Sequence, residues 1–209
     1  MNKNEKYSIK KYNTIAATYD QTSEGKFTAK FKPEVLKLCT VAEGDKVLDV
    51  GCGNGRLIYE ISRRAKIQAY GIDISPNMIA TCQQRYPNIT FEISSGEKLN
   101  FANHSFDMLI ICCVLHHLNN ADNFVKEARR VLKQDGILII GEPWYPWGLR
   151  QLIDWIVSPI VEAGDNKIFN HTKLKRLVTG NGFEIVEFYK KDVKQIIKAK
   201  SKTNSANTQ

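Results

Sequence analysis

An α/β fold with a mostly parallel sheet is predicted, and three observations predict it. Short apolar runs alternate along the chain with stretches of helical periodicity, which calls for a parallel sheet covered by helices on both faces. The run Val47-Leu48-Asp49-Val50 ends in a glycine-rich turn, Gly51-Cys52-Gly53-Asn54-Gly55, and a helix pattern follows at once. Twenty positions beyond Gly53, Ala69-Tyr70-Gly71-Ile72-Asp73 repeats the arrangement of a buried strand ending in a carboxylate. The 209 residues suit one domain with a large core.

Taken in order, strands are expected near 46–50, 68–73, 89–93, 106–112 and 136–141, and helices near 31–41, 55–65, 76–86 and 121–133. Pro33 and Pro76 fall where first helical turns accept proline. Asp135-Gly136 marks a turn into the fifth strand. Phe183 to Tyr189 and Val193 to Lys200 read as two more strands around Lys190-Lys191-Asp192, and so tight a connection implies antiparallel pairing. Residues 1–11 and 201–209 are polar and expected to be loose. Between Glu142 and His171 an insertion carries all three tryptophans, Trp144, Trp147 and Trp155, with Tyr145 beside them. Leu149, Leu152, Ile153, Ile156 and Ile160 follow at helical spacing, as for a helix packed on the sheet.

The glycines have a chemical meaning. A turn this tight, with backbone lacking a Cβ, lets a ligand approach closely. The spacing is Asp-x-Gly-x-Gly-x-Gly, not the Gly-x-Gly-x-x-Gly of dinucleotide enzymes, which argues against an oxidoreductase. In nucleoside-binding sheets a carboxylate placed like Asp73 accepts hydrogen bonds from ribose hydroxyls. Each is worth roughly 1.5–3 kcal/mol when one partner is charged. The plainer reading of Asp73 is part of a helix cap before Ser75-Pro76. Loop and carboxylate together point to a nucleoside cofactor.

Across residues 12–141 further segments recur in a familiar order. Tyr12 to Asp20 forms a Tyr-Asp segment. Val47–Gly55, Gly71-Ile72-Asp73-Ile74-Ser75 with Met78, and Ser95-Gly96-Glu97-Lys98-Leu99-Asn100-Phe101 with Ser105-Phe106-Asp107 come next. Val114-Leu115-His116-His117-Leu118 and Glu127 to Ile140 complete the series. In these segments the chain resembles the class I S-adenosylmethionine (SAM) dependent methyltransferases, in particular the methyltransferase type 11 group with its ubiquinone and menaquinone enzymes. The resemblance implies a Rossmann-like seven-stranded sheet with an antiparallel C-terminal strand and helices on both faces. It also implies a single domain over 1–209, with an N-terminal helical segment (about 1–42) and a substrate-cap insertion (about 142–171).

The same resemblance assigns residues. Asp49, Gly51, Cys52 and Gly53 would border the methionine part of SAM, with Cys112 beside its tail. Asp73 would hold the ribose, Ile74 and Met78 would flank the adenine, and Gly96 and Glu97 would border its amino edge. Tyr19 could close over the cofactor. At Ser95 the chain departs from the group, which commonly has Asp, so an intact site of reduced affinity is expected. His116 and His117 are candidates for a base, since histidine titrates near neutral pH, against a plainer role in pocket geometry; Glu142 and Tyr145 are weaker ones. Trp144, Tyr145 and Trp147 are expected to cap an acceptor pocket, since they follow the fifth strand where open α/β sheets bind ligands. The expected product is S-adenosylhomocysteine.

Composition narrows the partners. The formal charge of +8 invites a nucleic-acid reading. Much of the excess lies in terminal lysines, however, which usually serve solubility. The fourth strand ends in Ile111-Cys112-Cys113-Val114, without the Asn/Asp-Pro-Pro-Tyr of amino-methylating nucleic-acid enzymes, and no Pro-Cys nucleophile for cytosine occurs. The five cysteines include no Cys-x-x-Cys, so reduced thiols in a cytoplasmic protein and no metal are expected. The longest apolar run, Met108 to Leu115, is far too short to cross a bilayer, and the polar first residues predict no export signal. The leading expectation is a methyltransferase acting on a small apolar or aromatic molecule. Methylation of RNA or protein, and a SAM-binding regulatory protein without turnover, are the alternatives.

Overall fold

The computed structural model describes residues 3–145 and 169–202. Seven strands among them form one sheet: β1 (Lys46–Val50), β2 (Gln68–Asp73), β3 (Thr90–Ile93), β4 (Phe106–Cys112), β5 (Leu132–Pro143), β6 (Phe183–Lys191) and β7 (Lys194–Ser201). Their order is β3-β2-β1-β4-β5-β7-β6. Pairs among β1 to β5 are parallel, while β7 runs antiparallel to both β5 and β6. The expected sheet, including its antiparallel end, is therefore present. The strand order reverses at β1, where β2 lies on one side and β4 on the other. Ligands bind at such a switch point, beyond the carboxyl ends of the strands.

Period-two alternation divides the core. Leu48, Val50, Leu109, Ile111, Leu138 and Ile140 join one buried cluster with Phe124 and Val125 of α6 (Ala121–Val131) and Leu174 and Val178 of α7 (His171–Gly180). Val47, Met108, Ile110 and Ile139 join the opposite cluster. That face holds Val35 of α3 (Lys32–Leu38), Ile58 and Ile61 of α4 (Arg56–Ser62), and Ile79 of α5 (Pro76–Arg85). Strands buried on both faces read as continuous apolar runs, which is why they were legible in the sequence.

Two expectations need correction. Residues 3–15 are not loose: Lys3–Ile15 is a helix, α1. Hydrogen bonds at Asn13 tie it to the start of α5. Asn13 Oδ1 accepts from Ser75 Oγ at 2.7 Å and from the Asn77 N–H at 3.1 Å. A 3₁₀ turn (Ala16–Gln21) and α2 (Ser23–Ala29) lead from α1 to α3. The second correction concerns β5, which begins at Leu132, directly after α6, rather than at Gly136. Leu132 pairs with Phe106, and pairing resumes at Ile137 with Met108. The Asp135-Gly136 turn is thus an irregularity within β5, with Asp135 at φ +61°. The hairpin turns at Asp192-Val193, and Asp192 takes φ +55°. Trp147 and Trp155 lie outside the described residues.

Gly25 sets the path of the N-terminal segment. A Cβ there would stand 1.9 Å from the Tyr19 carbonyl oxygen, so no side chain fits. Gly25→Ala should cost more than about 2 kcal/mol, as overpacking does. Gly180→Ala, where no atom lies within 4 Å of the new Cβ, should be neutral or stabilise by up to about 1 kcal/mol. Urea unfolding of the two variants measures the contrast, and equal midpoints would refute this packing.

Candidate functional site

The turn after β1 builds the floor of a pocket. Gly51, Gly53 and Gly55 take φ values of +68°, +54° and +73°, in the left-handed region that favours glycine. A Cβ on Gly51 would press on Val114 at 2.5 Å, so this glycine permits close packing. A Cβ on Gly53 would meet nothing nearer than the Tyr19 ring at 3.9 Å, so its open side faces the pocket. The loop is held from β2: Asp73 Oδ2 accepts from the Gly53 N–H at 2.9 Å. Asp73 Oδ1 accepts from the Ser75 N–H at 2.9 Å, and Ser75 Oγ caps α5 by accepting from the Met78 N–H. The plainer reading of Asp73, a carboxylate that supports the start of α5, is therefore present.

The pocket that results encloses about 1030 Å³ of empty space, counting its open mouth. Every residue expected to touch the cofactor lines it: Tyr19, Asp49, Gly51, Cys52, Gly53, Asp73, Ile74, Met78, Ser95, Gly96, Glu97 and Cys112. His117 lines it too, but His116 does not. His116 Nδ1 instead lies 2.7 Å from Oε2 of Glu142, a fully buried carboxylate at the end of β5. Glu142 Oε1 accepts from the backbone N–H groups of Val114 and Leu115 at 3.1 and 2.9 Å. Glu142 thus fixes the whole turn after β4, a positioning role rather than that of a base at the pocket. His117 Nε2 stands 3.2 Å from the Tyr12 hydroxyl.

The aromatic cap divides. Trp144 is absent from the pocket lining. Its indole lies under the Lys190 ammonium at 3.7 Å, and its backbone N–H donates to the Val193 carbonyl. Its Nε1 is buried without a hydrogen-bond partner among the described residues. Tyr145 is half-buried at the end of the described segment, and Trp147 lies beyond it.

Several lining residues escaped the sequence reading: Glu5, Ser8 and Tyr12 from α1, Thr28 from α2, Lys32 from α3, and Asn54. The Tyr-Asp segment held part of the signal. Tyr19 Oη lies 3.1 Å from Thr28 Oγ1, and Asp20 accepts from the Asn54 amide at 2.5 Å, so this segment folds over the glycine loop. Burial pushes the Tyr19 phenol up to about 12, with a hydrogen bond to Thr28 opposing, so it stays protonated at neutral pH.

The electrostatics suit a ligand that carries charges of both signs. Burial raises the Asp49 carboxyl to about 7, with Lys32 opposing and Asp73 adding. Burial also raises Asp73, opposed by the N–H groups of Ser75, Gly53 and Ile74. Burial lowers the Lys32 ammonium, opposed by Asp20 and Asp49. The pocket wall thus carries both carboxyl groups and an ammonium. Gly53 supplies an open wall.

Asp49 carries a stability consequence. An unfolded aspartate ionises near 3.8, whereas this one holds its proton to about 7. Unfolding therefore releases a proton between those values, and stability from this group is lost as pH rises through that window. Asp49→Asn should raise the Tm of the cofactor-free protein at pH 8 by roughly 5 °C or more, and the gain should shrink as pH falls from 7 toward 4. Thermal melts across this range measure it, and a gain that grows at low pH would contradict it.

Comparisons with known proteins bear on the family and the fold. Residues 48–140 match the methyltransferase domain family. The chain is 33% identical over 143 residues to a demethylmenaquinone methyltransferase of Tropheryma whipplei, covering 66% of this chain and 59% of the relative. It thus spans about three fifths of that protein's length. It is 26% identical over 208 residues to a ubiquinone biosynthesis O-methyltransferase of Bartonella bacilliformis, covering 86% of this chain and 82% of that one. Among solved structures, a SAM-dependent methyltransferase from Thermotoga maritima superposes with a TM-score of 0.71 at 19% identity, covering 91% of this chain and 98% of that one. Another, from Methanosarcina mazei, gives 0.68 at 23%, covering 81% and 97%. At these identities the two structures speak to the fold alone. Residues 48–140 thus carry the similarity to the methyltransferase domain family, and the sheet built around them has the fold of the solved methyltransferases.

Proposed function

We propose that this protein transfers the methyl group of SAM to a small apolar or aromatic acceptor and releases S-adenosylhomocysteine. The observation that carries this reading is the convergence of twelve residues, from four separate segments and the Tyr-Asp turn, on one pocket at the switch point of the sheet. SAM supplies a methyl group already activated on a sulfonium. The residues of the chain then have mainly to position and to exclude water. Gly51, Cys52 and Gly53 would let backbone approach the cofactor closely, and Asp73 would accept from the ribose. Asp49 would face the cofactor's positive end, and Cys112 its tail. Ile74 and Met78 would flank the adenine, with Ser95, Gly96 and Glu97 at its edge. Tyr12 and Tyr19 would cover the site from the N-terminal side.

The acceptor class rests on two supports. Two of the relatives are named for methylation of quinone precursors or intermediates, demethylmenaquinone and a ubiquinone intermediate. Trp144 and Tyr145 follow β5 directly, at the carboxyl end of the sheet, and Trp147 comes two positions later in the sequence. The place of Trp144 beneath Lys190 favours packing for that side chain, leaving Tyr145 and Trp147 as the proposed cap. If the acceptor must lose a proton, His117 is the pocket-lining candidate for a general base, whereas His116 is engaged by Glu142. Among the described residues no helix is long and apolar enough to cross a membrane, and no cluster of metal-ligating side chains occurs. A cytoplasmic site of action is part of this proposal.

The test uses methyl-labelled SAM with a cell extract split into lipid, small-molecule, RNA and protein fractions. Label is expected in the lipid or small-molecule fraction; label in RNA or protein would overturn the acceptor class. With an acceptor in hand, Tyr145→Ala should raise its KM about tenfold and leave SAM affinity unchanged, and equal losses of both would assign Tyr145 to packing. His117→Gln should remove the acidic limb of the kcat–pH profile, and an unaltered profile would exclude a base role.

A further inference from the structure

We infer that the tip of the β6–β7 hairpin and the start of α3 form a basic surface that docks this protein on an anionic lipid bilayer, with the pocket opening beside the contact. The choice of partner rests on the apolar acceptor proposed above; the surface itself rests on charge and position. Lysines from separate stretches of the chain meet there. Lys194 Nζ donates to the Lys30 carbonyl at 3.3 Å, which holds the hairpin against the end of α2. Lys37 Nζ donates to Glu34 at 2.9 Å. That hydrogen bond, with the charges of Lys37, Lys194 and Lys191, holds the Glu34 carboxyl below its usual value against slight burial, so cations of helix and hairpin act on one carboxylate. On the opposite face of the hairpin, the Lys190 ammonium lies 3.7 Å from the centre of the Trp144 ring. Lys30, Lys37, Lys190 and Lys191 are exposed. With Lys194 they outnumber the carboxylates of the same stretches, Glu34 and Asp192.

The sheet sets where this charge stands. Pro143, the last residue of β5, pairs with Lys194, so the hairpin tip lies at the carboxyl end of the parallel strands. The pocket opens at that end, and Lys32, two positions beyond Lys30, lines it. Trp144 and Tyr145 leave the sheet there too, and the Trp144 N–H donates to the Val193 carbonyl at the hairpin turn. Tryptophan and tyrosine favour the headgroup level of a bilayer, where one end of the ring is apolar and the other wet.

The kind of cation favours lipid over nucleic acid. Every cation in these stretches is a lysine. Arginine is the side chain whose planar fork grips phosphates and base edges with paired hydrogen bonds. Lysine is a point charge suited to the diffuse field of an anionic leaflet, and each one near the surface adds roughly fivefold to affinity. Among the described residues no helix is long and apolar enough to cross a membrane, so the contact is a surface one. An apolar acceptor concentrates in the bilayer, and a pocket that opens beside the membrane contact meets it there.

The test is sedimentation of the full chain with vesicles of phosphatidylcholine alone, or with about a third phosphatidylglycerol. The native chain should bind the anionic vesicles about tenfold or more tightly than the neutral ones, and high salt should erase the preference. Lys30→Gln with Lys191→Gln should weaken binding to the anionic vesicles about 25-fold. Lys66→Gln with Lys202→Gln, the same loss of charge at the amino end of the sheet, should weaken it less than about threefold. A native chain that ignores lipid charge would overturn the inference. Equal losses in the two double variants would also overturn it, since net charge alone would then explain the attraction. A native chain that ignores anionic vesicles but binds a mixed-sequence RNA oligomer would assign the surface to nucleic acid instead. Methyl label in the lipid fraction without vesicle binding would remove the docking surface alone, and vesicle binding with label in RNA would remove the acceptor class alone.

Discussion

The site hangs on one buried carboxylate. Asp73 closes β2, and its two oxygens take the Gly53 N–H of the loop after β1 and the Ser75 N–H at the start of α5. With the Cys82 Sγ–H bond to the Gly53 carbonyl, this pair of hydrogen bonds joins the glycine loop to α5. The carboxylate is buried and its protonation is favoured by burial, so its charged form depends on those N–H donors. A cofactor hydroxyl would add a further donor to the same group. Binding and loop order are in this way expressed through one side chain.

Glu142 plays the matching part on the other side of the sheet's switch point. Fully buried at the end of β5, it gathers the N–H groups of Val114 and Leu115 and the ring of His116. The turn after β4 is the wall that faces the glycine loop, and Val114 packs where a side chain at Gly51 would stand. Two acidic residues, one per half of the sheet, therefore fix the two lips of the pocket. Buried polar groups of this kind are satisfied because leaving any of them unpaired costs about 1–3 kcal/mol.

Where a signal was local and apolar, it was legible in the sequence. β1, β2 and β4 are buried on both faces and appear as unbroken apolar runs ending in chemistry, Asp49, Asp73 and Cys112. The glycine spacing separated this loop from a dinucleotide turn because each glycine has its own geometric reason. What escaped is what depends on contacts distant in sequence. Helix α1 binds through Asn13, Tyr12 and Glu5 to positions more than 60 residues away, and nothing in its own polar sequence announces this. Glu142 looked like a possible base, since a lone glutamate does not reveal whether it faces a ligand or three donors. Trp144 was grouped with an acceptor cap by its position, yet a lysine from the hairpin covers its ring. The Asp135-Gly136 pair was read as a turn into the fifth strand, whereas the pairing of Phe106 with Leu132 places it as an irregularity inside β5.

The central claim is that α1, the glycine loop and the 95–99 segment form one cofactor site organised by Asp73. Hydrogen–deuterium exchange of the full chain, with and without saturating S-adenosylhomocysteine, tests it most directly. The account predicts slowed exchange on binding in all three segments together, with the Gly53 and Ser75 amides among the most protected. Protection confined to the glycine loop, with α1 and residues 95–99 unchanged, would contradict it.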